Sequence, residues 1–131
     1  MATTTATLTL SSPDLTGDAL SLSTTATLTK AGTVTGLDQF TGIARKTFSS
    51  TSIATLIAKG DYTDDKAHKV YLKNTSTVAT ESLIVTIEAQ LLGRLYAGDW
   101  ALIPFNGNQD IKITPSVSTA VTVEYAVIYE A

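Results

Sequence analysis

The chain has 131 residues, with 12 acidic and 9 basic side chains, one histidine and no cysteine. That length suffices for one domain with its own core, while the missing cysteine excludes a disulfide framework, a thiol nucleophile and a zinc–thiolate site. A net charge of −3 with only 16% charged residues argues against non-specific nucleic-acid binding, which draws on a positive field.

The N-terminus has no basic region followed by an apolar run, so no secretion signal is expected. No apolar run approaches the ~20 residues that span a membrane. Residues 3–10 alternate strictly, Ala6, Leu8 and Leu10 against Thr5, Thr7 and Thr9, and a period of two predicts a strand. Pro13-Asp14 and Gly17 mark a turn. A second strand-like run covers 19–30, where Thr25–Thr29 repeats Thr5–Thr9 residue for residue. Two copies do not make a solenoid. Nor do the Thr-x-Thr pairs make the threonine ladder of an ice-binding protein, which needs a longer regular array; outward threonines on ordinary strands are expected. The first strand carries no charge, although exposed edges usually do. It is therefore expected to be covered, either by its near-copy at 24–30 or by a neighbouring molecule. The domain reading is a single β-sandwich over 1–131 with residues 1–12 as a possible N-terminal arm.

Two runs follow at 43–48 and 52–58, the second ambiguous between strand and short helix. The polar loop at 60–66 holds Asp61, Asp64 and Asp65. Their spacing fails the EF-hand pattern, so a solvated loop without a metal is expected. Strands are predicted at 68–73, 81–88 and 90–96, with Asn74–Thr77 as a turn. His68 reads as a surface strand residue. No Gly-x-Ser-x-Gly elbow accompanies it, and Glu81 and Glu88, seven apart, lie on opposite faces of one strand. No catalytic residue, cofactor site or metal site is expected.

The densest packing material is Leu91–Phe105. It contains the only tryptophan, Trp100, together with Leu95, Tyr96, Leu102, Ile103 and Phe105. Large aromatics dominate cores and interfaces, so this stretch is expected to form a strand–turn–strand core or an inter-subunit seam, with Gly93 and Gly98 at bends or close approaches. Leu8, Leu10, Arg94, Tyr96, Trp100 and Phe105 are the candidate interface or core residues. Asn106-Gly107 is a hairpin signal leading to a strand at 109–114. The last strand, 118–130, places Val121, Val123, Tyr125, Val127 and Tyr129 on one face. Eight to ten short strands at this spacing predict an all-β antiparallel sandwich or jelly roll.

Lys66–Asn74, Gly93–Trp100, Asp110–Ser116 and a closing Val121-x-x-x-Tyr125 strand resemble small virion structural proteins of tailed bacteriophages, cyanophages especially. The resemblance spans the C-terminal half. It implies a non-enzymatic particle component: a capsid decoration or cement protein that binds the major capsid protein, or else a tail, baseplate or fibre part. It further implies a homo-oligomer, with a trimer favoured, located on the virion surface and assembled in the host bacterial cytoplasm. From the residues alone, a carbohydrate-binding sandwich using Trp100, Tyr96 or Tyr62 as a stacking platform stays open. Nucleic-acid and membrane partners are not expected.

Overall fold

A computed structural model of the chain describes residues 3–15, 17 and 19–131. Every regular element among them is a β-strand. The chain divides into two compact units, 1–38 and 39–131, where the sequence reading placed one domain with an arm at 1–12.

In the first unit, β1 (Thr4–Ser12) and β2 (Leu20–Leu28) form an antiparallel two-stranded sheet. Ala6 stands opposite Ala26, and Thr7 opposite Thr25, with the two threonine hydroxyls 2.9 Å apart. Of the two covers expected for the first strand, the near-copy within the chain takes one side.

The second unit contains β3 (Gln39–Phe40), β4 (Ala44–Phe48), β5 (Ala54–Ile57), β6 (His68–Asn74), β7 (Leu83–Ile87), β8 (Gln90–Leu95), β9 (Trp100–Phe105), β10 (Ile111–Pro115) and β11 (Val121–Tyr129). One sheet runs β4-β11-β6-β9, with β3 pairing the far end of β11; the other runs β5-β10-β7-β8. The pairs β7–β8, β6–β9, β5–β10 and β4–β11 are nested one inside the next, all antiparallel. From β4 to β11 this unit is thus a long folded ribbon rolled so that every connection, save β7–β8, crosses between sheets. This is the jelly-roll order, a double-sheet solution to burying two apolar faces.

Alternation builds the core. On β6 the inward set is His68, Val70, Leu72 and Asn74; on β10 it is Ile111, Ile113 and Pro115. Together with Phe48, Ile57, Leu83, Val85, Leu95, Phe105, Val121, Val123 and Val127 they close the space between the sheets. The ambiguous run at 52–58 is strand β5.

Two sequence readings are corrected here. Asn106-Gly107 does not close a hairpin, because β9 and β10 lie in opposite sheets. The one tight hairpin of this unit is β7–β8, turned through Glu88, at φ 52°, and Ala89. His68 is not on the surface. It is fully buried; Nε2 lies 2.8 Å from the Thr63 carbonyl oxygen, and Nδ1 accepts the Glu130 N–H at 3.2 Å. A carbonyl can only accept and an N–H only donate, so the ring hydrogen is on Nε2. Its face of β6 is the core face, and the alternation His68, Val70, Leu72 already carried that signal.

Candidate functional site

The stretch from Leu91 to Phe105 does not form the middle of the core. β8 is the edge strand of one sheet and β9 the edge strand of the other, so together they form one open side of the sandwich. Leu95 and Phe105 face inward and are buried. Leu91 is 69% exposed, Leu92 52%, Tyr96 56% and Trp100 53%, with Leu102 also exposed. A tryptophan on an edge strand with half its surface in water is not a core anchor, which corrects that alternative for Trp100.

Each exposure has a local cause. The register of β8 against β7 shifts between Val85 and Thr86, so that Leu91 pairs with Thr86 and Gly93 with Val85. Leu92 is the extra residue of that bulge. On β9 both faces are apolar: Ala101, Ile103 and Phe105 point inward, while Trp100, Leu102 and Pro104 are exposed. Alternation alone cannot say which apolar face of such a strand is the core.

Between the two edge strands lies a cavity of about 240 Å³ lined by Leu72, Val85, Leu92, Leu95, Ala101 and Ile103, together with Gly93 and Arg94. The exposed Arg94 donates through Nη1 to Ser82 Oγ at 2.8 Å. The rest of the lining is uncharged and largely apolar.

The turn joining β8 to β9 is fixed to the sandwich. Asp99 N–H donates to the Tyr96 carbonyl at 2.9 Å, and the Asp99 carboxylate accepts the Tyr96 N–H at 2.9 Å. Gly98, at φ +83°, supplies the left-handed residue the turn needs; its N–H donates to the Asn74 carbonyl, and Asn74 N–H donates to the Asp99 carbonyl, both at 3.0 Å. Asn74 is fully buried, and its side-chain amide donates to the Glu81 and Leu95 carbonyls at 3.1 Å while Oδ1 accepts the Ser76 N–H. A sequence reading that saw Asn74 only as a turn residue missed this pivot.

The outward face of β9 continues across β6 and β11. Trp100 stands opposite Lys73, Leu102 opposite Tyr71, and Lys73 opposite Glu124. Arg45 donates to Glu124 Oε2 at 3.0 and 3.2 Å, and Tyr71 Oη to Glu124 Oε1 at 3.1 Å. These hydrogen bonds, Arg45 first, hold the Glu124 carboxyl below its ordinary range. Desolvation, then the Glu124 bond and charge, pushes the Tyr71 hydroxyl up.

A second cavity, about 290 Å³, is lined by His68, Phe105, Ile87 and Pro104, with Lys66 and Lys69 at its charged side. Both lysines are engaged, Lys66 with Glu130 at 3.6 Å and Lys69 with the Ala67 carbonyl at 3.0 Å.

No family model, no curated protein and no solved structure matches this chain.

The remaining sequence candidates fall elsewhere. Leu8 is half-buried and Leu10 is 40% exposed, both on β1. Tyr62 is half-buried and packs edge-on against Phe105 and Tyr129, with ring centroids 6.1 and 5.2 Å away. Asp61, Asp64 and Asp65 are exposed. The structure brings Arg94, Tyr96, Trp100 and Phe105 to the β8–β9 side. A groove flanked by two unpaired strand edges has the form that takes an extended, apolar segment, through backbone hydrogen bonds and side-chain burial together.

Proposed function

We propose that this chain is a non-enzymatic structural protein of a tailed-phage virion, a capsid decoration or cement protein that binds the shell of major capsid subunits and stabilises it. The observation that carries the reading is the open β8–β9 edge, where Leu91, Leu92, Trp100 and Leu102 stand exposed beside an apolar groove. Isolated exposed leucines need no explanation, but a contiguous set along two unpaired sheet edges marks an interaction surface. Apolar area removed from water stabilises at ~25 cal/mol per Å², so a modest contact repeated over a symmetric shell sums to a large effect. The jelly roll is an architecture that capsid proteins use, as do lectins. A non-enzymatic role is supported by the single histidine, whose two nitrogens both serve the fold. Closed homo-oligomers fit the local symmetry axes of a shell.

The tail, baseplate or fibre placement would use the same edge on a different partner. The carbohydrate reading has less support: Trp100 sits on an outward sheet face and lines neither cavity, and Tyr62 is enclosed by Phe105 and Tyr129.

The test is co-sedimentation with phage shells stripped of this protein. Leu92→Lys and Leu102→Lys alter exposed residues, so both variants should keep a cooperative melt, yet they should lose most of the wild-type shell binding. Variants that fold and bind as wild type would refute the edge as the binding surface.

A further inference from the structure

We propose that two copies of this chain join edge to edge through β1, with Ala6 of one copy facing Ala6 of the other across a two-fold axis. The inference rests on the first unit and does not depend on the shell reading.

The first observation is a repeat. Thr4-Thr5-Ala6-Thr7-Leu8-Thr9 recurs letter for letter as Thr24-Thr25-Ala26-Thr27-Leu28-Thr29. The second is the register in which the copies meet: Thr4 opposite Leu28, Thr5 opposite Thr27, Ala6 opposite Ala26, Thr7 opposite Thr25 and Leu8 opposite Thr24. Written in the numbers of the first copy, each pair sums to the same value, and Ala6 meets its own equivalent. The hairpin therefore already contains the antiparallel pairing of this hexapeptide with itself. An isologous contact between two molecules needs that property, since residue i must fit j while j fits i.

Charge is compatible with the same occupant. Neither β1 nor β2 carries a charged side chain. Across a two-fold axis near the middle of a strand, like charges would be brought close together, which is destabilising. A charge-free strand is electrostatically complementary to its own copy, and it lacks the charges that usually keep edges apart.

The more open backbone edge is that of β1. At the end where Thr4 stands opposite Leu28, β2 is engaged through its backbone, with the Leu37 N–H donating to the Leu28 carbonyl at 2.9 Å and Thr29 bridging to Gly36, whereas β1 is engaged only through the Thr4 hydroxyl, which donates to the Leu37 carbonyl at 2.7 Å. Among the described residues, β2 is the only strand that pairs with β1. A two-stranded ribbon is marginal alone, and three or more strands are the usual requirement. Pairing β1 with a second β1 gives the continuous order β2-β1-β1-β2, which extends the existing sheet rather than creating a new kind of contact.

The absence of cysteine makes the register directly testable by single-cysteine cross-linking of the full chain under mild oxidation. Across the proposed axis Ala6 meets Ala6, while Thr5 meets Thr7. Ala6→Cys should therefore form a covalent dimer of twice the chain mass. Thr5→Cys and Thr7→Cys, both at exposed positions, should stay monomeric singly, because diagonal neighbours stand about 7–8 Å apart, beyond disulfide reach. An equimolar mixture of those two variants should form the mixed dimer. Sedimentation equilibrium of the wild-type chain should show mass rising toward the dimer with concentration. A wild-type chain that stays at monomer mass overturns the proposal, as does Ala6→Cys cross-linking no better than Thr5→Cys or Thr7→Cys alone. Shell binding is read in a separate assay, so failure here leaves that reading standing, and the reverse.

Discussion

Gly107 presses against Thr63: a Cβ on Gly107, which sits at φ +94°, would stand 2.5 Å from the Thr63 carbonyl oxygen. That carbonyl is also the one His68 Nε2 faces at 2.8 Å, and Gly60 N–H donates to the Gly107 carbonyl at 3.3 Å. The polar loop at 60–66 is thus held between the β9–β10 crossover and the buried histidine. A Cβ on Gly93, by contrast, would meet nothing within 4 Å.

Gly107→Ala is expected to destabilise the fold. The positive φ alone accounts for about 1–3 kcal/mol, and the added methyl must displace Thr63 from His68. Denaturant unfolding should show the midpoint falling without a change in slope. An unchanged midpoint would mean that the loop yields freely and does not clamp His68.

Trp100→Ala and Leu72→Ala separate edge from core. Leu72 is fully buried between the sheets, and its truncation is expected to destabilise by about 2–5 kcal/mol. Trp100, half in water on an edge strand, should give about 1 kcal/mol. Equal losses in parallel thermal melts would return Trp100 to the core and remove it from the proposed surface.

Glu124 sets an acid limit. Its carboxyl lies below its ordinary range because Arg45 and then Tyr71 donate to it. A folded value below the unfolded one, about 4.3, gives stability that is fully present above the unfolded value. That stability is lost as pH falls through the folded value. Wild-type melting temperature should therefore drop on acidification more steeply than that of Glu124→Gln, with the two converging at the lowest pH. A parallel pH dependence would show that the Arg45–Glu124–Tyr71 group contributes nothing to the fold.

The strands were legible in the residues; their arrangement was not. Period-two patterns mark β1, β6 and β11: β6 buries one face and leaves the other half-buried, β1 alternates half-buried with exposed residues over Thr4–Leu8, and β11 buries Val121 and Val123 while Thr122 and Glu124 stay half-buried, whereas β2 is exposed on both faces from Ser21 to Thr27. Val121, Val123 and Val127 are all in the core as the alternation predicted. What the pattern could not give was which strands share a sheet. In a jelly roll nearly every connection crosses the sandwich, so neighbours in sequence are not partners in hydrogen bonding, and Asn106-Gly107 looked like a hairpin for that reason. The candidate site was half legible. Leu91–Phe105 was identified as the stretch that matters, but β9 is apolar on both faces and β8 carries a bulge, so the density of large side chains suggested a core where the structure has an edge. Asn74 gave no signal beyond that of a turn residue, because burial of its amide depends on carbonyls from Glu81 and Leu95, distant in the chain.

The proposed place of this chain is the shell of a phage particle. Immunogold labelling of virions, purified from a lysate in which the chain is produced and imaged with an antibody to it, tests that placement. Gold is expected over the whole capsid surface. Gold confined to the tail, or virions that carry none, would contradict it.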